Sequence, residues 1–171
     1  DIEIGWRFRN ENILLNLNSY FMLYDEQLVL TGEIDDVGNP KRTNSGSSSR
    51  IGLEIENSIK LSDLFSVQTN ITLSSNKNKN IFSMVDGALY NYGKTNISFS
   101  PSFIGSNSIN YKYSENLNFT FLSKYVGKQY MSNTDQPNSI LESYFVNDIN
   151  ITYSIKPEKK AIFNPVLFSI V

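Results

Sequence analysis

The chain has 171 residues, no Cys, no His, 15 Lys plus Arg against 17 Asp plus Glu, and a net charge of −2. These numbers exclude a Ser-His-Asp triad, thiolate chemistry, disulfides and the usual nitrogen and sulfur zinc site, and they give no basic footprint for nucleic acid. No run approaches the ~18 apolar residues of a membrane-spanning helix, and the mean hydropathy of −0.29 reads at first as that of a soluble domain.

Taken in chain order, the sequence alternates with period two rather than with a helical period, as half-buried strands do. The first stretch sets Ile2, Ile4, Trp6 and Phe8 against Glu3, Gly5, Arg7 and Arg9. The second puts Ile13, Leu15, Leu17, Ser19, Phe21 and Leu23 on one face, with Asn16, Asn18 and Tyr20 opposite. In the third, Ile51, Leu53, Ile55, Ile59 and Leu61 alternate with Arg50, Gly52, Glu54, Glu56 and Lys60, and in the fourth Phe65, Val67, Thr69, Ile71 and Leu73 alternate with polar residues. The last three carry Phe99, Phe103, Ile109, Tyr111 and Tyr113, then Leu117, Phe119, Phe121 and Tyr125, then Phe145, Ile149, Ile151, Tyr153 and Ile155. An all-β antiparallel fold of about seven or eight strands is expected.

The connections are patterned too. Short polar turns fall around Asn10, Ser62, Ser114 and Pro157, and between them lie long polar segments from roughly 25 to 49, 76 to 97 and 127 to 143. Strict alternation of short and long connections is the habit of transmembrane β-barrels, and each stretch has the ~9 to 11 residues that cross a bilayer at a tilt. The apolar face carries no charge, whereas the other carries Glu3, Arg7, Arg9, Arg50, Glu54, Glu56, Lys60, Lys112, Lys124 and Asp148. Aromatic residues gather at both ends of the apolar face: Phe8, Phe65, Tyr111, Tyr113, Phe119 and Tyr153, with Trp6 a step further in, near the short turns, and Phe21, Phe99, Tyr125 and Phe145 near the long loops. Such belts match the interfacial girdles of a membrane barrel. Four polar residues interrupt the apolar face, namely Ser19, Asn57, Asn107 and Asn147, and alternation alone offers no reason for them beyond a bulge or a register slip.

Tyr24 to Gly38, continuing through Arg42-Thr43-Asn44 and Arg50 to Glu56, resembles the β-barrel of TonB-dependent outer-membrane receptors, especially those of Bacteroidetes-type bacteria. Ser98 to Pro101, Lys124 to Tyr130 and Tyr144 to Asp148 are similar to that family in order and spacing, so the likeness spans roughly residues 1–155. It implies the C-terminal portion of a 22-stranded barrel, without the plug domain that closes it, lying in the bacterial outer membrane. It further implies a receptor that binds a scarce ligand (ferric siderophore, vitamin or glycan) and imports it with energy passed through TonB. The abrupt ends, at Asp1 and inside the apolar run at Ser169-Ile170-Val171, lead to the expectation of a piece of a longer protein, with residues 156–171 a divergent or truncated segment.

On this reading the long loops hold the ligand surface, with Asp35, Asp36, Lys41 and Arg42 in the first and Tyr90 and Tyr92 in the second as candidates. Arg7, Arg50, Glu54, Glu56, Lys124 and Asp148 are candidates to face the lumen and the plug. No catalytic residue, metal or cofactor is expected; the implied partners are outer-membrane lipid, the plug, the remaining barrel strands and, through the plug, TonB, with no nucleic acid. The alternative is a soluble β-sandwich binding module of the carbohydrate-binding type, in which the apolar face would be a dry core.

Overall fold

In the computed structural model, residues 1–26, 28–44, 46–85, 88–155 and 167–170 are described. The strands are β1 (Ile2–Arg9), β2 (Ile13–Asp25), β3 (Leu28–Ile34), β4 (Pro40–Asn44), β5 (Ser47–Lys60), β6 (Phe65–Val85), β7 (Ala88–Asn96), β8 (Phe103–Lys112), β9 (Leu117–Val126), β10 (Gln129–Tyr130), β11 (Ile140–Leu141), β12 (Tyr144–Ser154) and β13 (Leu167–Ile170). Eight of them form one antiparallel meander, β1-β2-β5-β6-β8-β9-β12-β13, while β7 pairs with the far half of β6. The sheet is open, with β1 and β13 at its edges.

The sandwich alternative fails here, because nine strands lie in one sheet and the other two sheets among the described residues have two strands each. The apolar face is accordingly bare: Ile4 keeps 71% of its surface exposed and Phe145 61%. A soluble protein would bury such a face, whereas a lipid-contacting one needs no cover.

Each tight turn is written by its polar residues. Asn10 Oδ1 accepts from the amides of Asn12 and Ile13 at 2.9 and 2.7 Å, Ser62 Oγ from Leu64 and Phe65 at 3.2 and 3.1 Å, and Ser114 Oγ from Asn116 and Leu117 at 3.3 and 3.1 Å. These side chains satisfy amides that a reversing backbone would leave unpaired. Three of the four expected short turns are thus present; the fourth, around Pro157, lies outside the described residues.

Two expectations change. The long polar segments are not irregular: they contain the β3–β4 hairpin, the extension of β6 with β7, and the small β10–β11 ladder followed across a 3-10 turn at Pro137–Ser139. Phe99, expected on a strand, sits in the turn before β8 with φ 51° and is 57% exposed. The chain's last strand also becomes definite, since Leu167–Ile170 pairs antiparallel with Ile151–Ser154 and makes the eighth strand of the sheet.

Candidate functional site

Register decides which charges share a face, because directly paired residues of neighbouring strands project to the same side. Arg7 pairs with Asn16, Asn16 with Glu56, Glu56 with Asn70, Asn70 with Ser106 and Ser106 with Lys124. Arg7, Glu56 and Lys124 therefore lie along one transverse row. Glu54 falls on the next row toward the long loops, Arg50 two rows beyond that, and Asp148 one row toward the short turns. All six lumen candidates, and the other four strand charges, occupy the same face.

That face is knit by amide side chains. Arg7 Nε donates to Asn16 Oδ1 at 2.8 Å, and Asn16 Nδ2 donates in turn to Glu56 Oε2 at 2.7 Å. Asn18 Nδ2 donates to Glu54 Oε2 at 3.3 Å. Each glutamate thus keeps a second oxygen for another group. A hollow of about 470 Å³ opens on this side, with Glu3, Tyr20, Arg50, Glu54 and Asn76 in its lining. The Arg50 guanidinium carbon stands 5.3 Å from the centre of the Tyr24 ring, in cation–π range, while its Nε is buried with no hydrogen-bond partner. Gly52 fits here for a steric reason: a Cβ at this position would overlap the outer ring atoms of Tyr20, the residue paired with it on β2.

The loop candidates divide. Asp35 shapes its own turn, with Oδ1 accepting from the amides of Val37 and Asn39 at 3.0 and 2.8 Å and Oδ2 from Asn39 Nδ2 at 3.2 Å. The backbone amide of Asn39 is the largest influence on its carboxyl, which lies below the ordinary aspartate value; desolvation works against this, and the Asn39 side chain and the amides of Val37 and Gly38 reinforce it. Asp36 is exposed beside it. The side chains of Lys41 and Arg42 lie outside the described residues. Tyr90 and Tyr92 meet edge to face with ring centroids 4.8 Å apart, and Gln136 Nε2 donates to Tyr92 Oη at 3.4 Å.

That last contact belongs to a larger junction which alternation could not disclose. Asn78, 2% exposed on β6, directs Nδ2 toward Thr95 Oγ1 at 3.1 Å, Asn96 O at 3.2 Å and Asn133 Oδ1 at 3.3 Å. Asn133 Oδ1 also accepts from the Ser98 amide at 2.9 Å. Asp135 accepts from the Asn96 amide at 2.9 and 3.1 Å and from Asn96 Nδ2 at 2.9 Å. The β6–β7 extension and the segment between β9 and β12 are thereby bound to each other. The signal in the sequence was only an excess of Asn and Ser in segments read as loops.

The comparisons agree with this architecture. The family model described as "TonB dependent receptor-like, beta-barrel" matches residues 1–164. No curated protein matches. Among solved structures, the ferric citrate transporter FecA superposes with a TM-score of 0.71 at 16% identity, covering 91% of this chain and 23% of that one. The siderophore receptor PiuA of Acinetobacter baumannii gives 0.67 at 19% identity, covering 89% and 21%. The ferric yersiniabactin uptake receptor FyuA of Yersinia pestis gives 0.66 at 16% identity, covering 88% and 21%. The chain therefore spans between a fifth and a quarter of the length of the receptors it resembles.

Proposed function

Because the chain belongs to the TonB-dependent receptor β-barrel family, whose barrels reside in the bacterial outer membrane, we propose that it serves as the C-terminal portion of an active-transport receptor. The receptor binds a scarce solute at the cell surface and admits it with TonB-supplied energy. The carrying observation is the register: every strand charge named above projects to one face, and the other face, as far toward the long loops as Leu23 and Leu73, is uncharged and bare. A lipid-facing wall around a polar lumen has that segregation.

The roles follow from chemistry. Glu54 and Glu56, each tied by one amide, offer remaining lone pairs to cationic groups of a plug, and Arg7 and Lys124 in the Glu56 row supply the opposite sign. Charges half removed from water need such partners. Arg50 and Asp148 face the same lumen. Asp36, Tyr90 and Tyr92, together with Lys41 and Arg42, furnish recognition at the loop end, where a rigid scaffold commonly presents it. The solute is a siderophore-bound iron, a vitamin or a glycan, the names of similar structures favouring the first. Binding and passage require no bond chemistry, so the protein is read as a non-enzyme without a cofactor, its partners being lipid, plug, remaining strands and TonB, and no nucleic acid.

Spin labels at Leu53 and Glu54, on adjacent and opposite-facing positions of β5, test the assignment. Lipid-soluble oxygen should relax the label at 53 and a water-soluble nickel chelate the label at 54. Equal access of both reagents at the two positions would refute a membrane wall.

A further inference from the structure

Tyr90 and Tyr92 lie on β7, but the polar group that reaches them comes from the connection between β9 and β12. Gln136 Nε2 donates to Tyr92 Oη at 3.4 Å across 44 positions of sequence. The Tyr92 ring is set edge to face against Tyr90, with centroids 4.8 Å apart, and Tyr90 keeps 57% of its surface exposed. Gln136 is exposed as well. Three side chains from two separate connections thus share one open patch.

The connection is built to hold Gln136 in place. β10 and β11 close it at the base, Gln129 pairing with Leu141 and Tyr130 with Ile140, so the residues between them form a compact loop with adjacent ends. The Ser139 amide and Oγ donate to Gln136 O at 3.0 and 2.8 Å, and Pro137 opens a 3-10 turn directly after it. One residue earlier, Asp135 has φ 53°. That is a left-handed conformation which non-glycine residues keep only where their surroundings enforce it, and which gathers at ligand sites. What enforces it here is β7: both Asp135 oxygens accept from the Asn96 amide, and Oδ2 accepts also from Asn96 Nδ2. Asn133, 4% exposed, adds a second anchor by accepting from the Ser98 amide and Asn78 Nδ2. The polar junction therefore fixes the turn that carries Gln136 to the strand that carries both tyrosines.

We propose that Tyr90, Tyr92 and Gln136 form one composite, pre-organised subsite for a hydroxylated ring, with Asp135 and Asn133 as its positioning residues. The tyrosines offer ring surface for stacking. An amide that gives one N–H to Tyr92 still has a second N–H and a carbonyl oxygen for hydroxyls at the edge of such a ring. Because the junction already orders the turn, little ordering is left to be done when the ring arrives, which favours binding. Phenolic rings and sugar rings share this chemistry. The subsite rests on the receptor reading above and specifies which part of a solute the loop end recognises.

The test uses the complete receptor in a sugar-free detergent. Magnetisation transfer from the protein to catechol and to methyl glucoside, each at millimolar concentration, reads ring binding directly. Transfer to at least one of them, lost in Tyr90→Ala and with affinity about three- to tenfold weaker in Gln136→Leu, the worth of one hydrogen bond, supports the subsite. Catechol alone marks a phenolic solute and the glucoside alone a sugar. Transfer to neither, or no response to either substitution, overturns the proposal. Positioning is read separately, from dipolar coupling between spin labels at the exposed Lys94 and Asn138 in a cysteine-free background. The unsubstituted loop should give one narrow distance, and Asp135→Ala should lose it. Asp135→Asn, which tolerates the left-handed conformation and keeps an acceptor oxygen, should restore it. An unchanged distance in Asp135→Ala, or no rescue by Asp135→Asn, overturns the positioning role. Heat-modifiable migration of the unsubstituted receptor reports barrel formation, so its absence would count against the membrane wall and not against the subsite.

Discussion

Two residues show how far local physics reaches in this wall. Gly52 exists to admit the Tyr20 ring, an aromatic laid over a glycine on the neighbouring strand, which pins register. Gly52→Val should expel the ring and cost about 1–3 kcal/mol, as overpacking does, read as a lower urea midpoint of the folded receptor in detergent; an unchanged midpoint would show that Tyr20 swings aside freely. Asp35 supplies the pH counterpart. Its carboxyl lies below the ordinary aspartate value because amides, first that of Asn39, bind the charged form. A depressed folded-state pKa means that the carboxylate's contribution is present above the unfolded value and is lost as pH falls through the folded one. The turn should thus hold at neutral pH and loosen only in strong acid, below 3.8. Carbon-detected titration of the Asp35 carboxyl should place its midpoint under that value, and a midpoint at or above it would remove the proposed amide cradle.

Among elements, the strands of the wall were legible and the structure beyond the wall was not. Between Phe65 and Leu73 one face meets lipid and the other a polar lumen, so the sequence alternates. Beyond Ser75 one side of β6 packs on the polar junction at Asn78, 2% exposed, and Ser75 to Asn80 is polar throughout although the strand continues to Val85. Binary pattern vanishes where neither side calls for apolar residues. Phe99 misled for the converse reason, being an apolar residue in a turn. The lumen charges could be assigned to one face from parity alone, but their pairing through Asn16 and Asn18 needed the register. The junction around Asn78 and Asn133 was out of reach, since its members lie 55 positions apart. It carries a sharp expectation: Asn133→Ala leaves the Ser98 amide and Asn78 Nδ2 without their shared acceptor, a loss of about 1–3 kcal/mol for buried groups. Amide exchange should accelerate at Ser98, by about ten- to a hundredfold, while β8 and β9 stay protected. If Ser98 exchange does not change, the junction is not what holds the two segments together.

At the scale of the whole molecule, the decisive feature is that the sheet has two ends. β1 is flanked on one side only, by β2, and presents an outer row of backbone N–H and C=O groups along Ile2–Arg9; β13 likewise pairs only with β12. In water such an edge invites aggregation. In hydrocarbon every unpaired backbone group costs several kcal/mol, and only a closed barrel removes the cost. Eight strands could in principle close on themselves, but among the described residues β13 contributes four, Leu167–Ile170, against the eight of β1, and these pair at most half of the β1 edge. On the function proposed above, the described strands act as one arc of a larger wall. Refolded alone in detergent micelles, residues 1–171 should give no heat-modifiable species and should confer no uptake. The same residues joined to the strands and plug of a complete receptor should give both. A compact, heat-modifiable product from the isolated chain, with β1 cross-linking to β13 through Glu3→Cys and Ser169→Cys, would instead establish a small self-closed barrel and move the function from import toward a structural role.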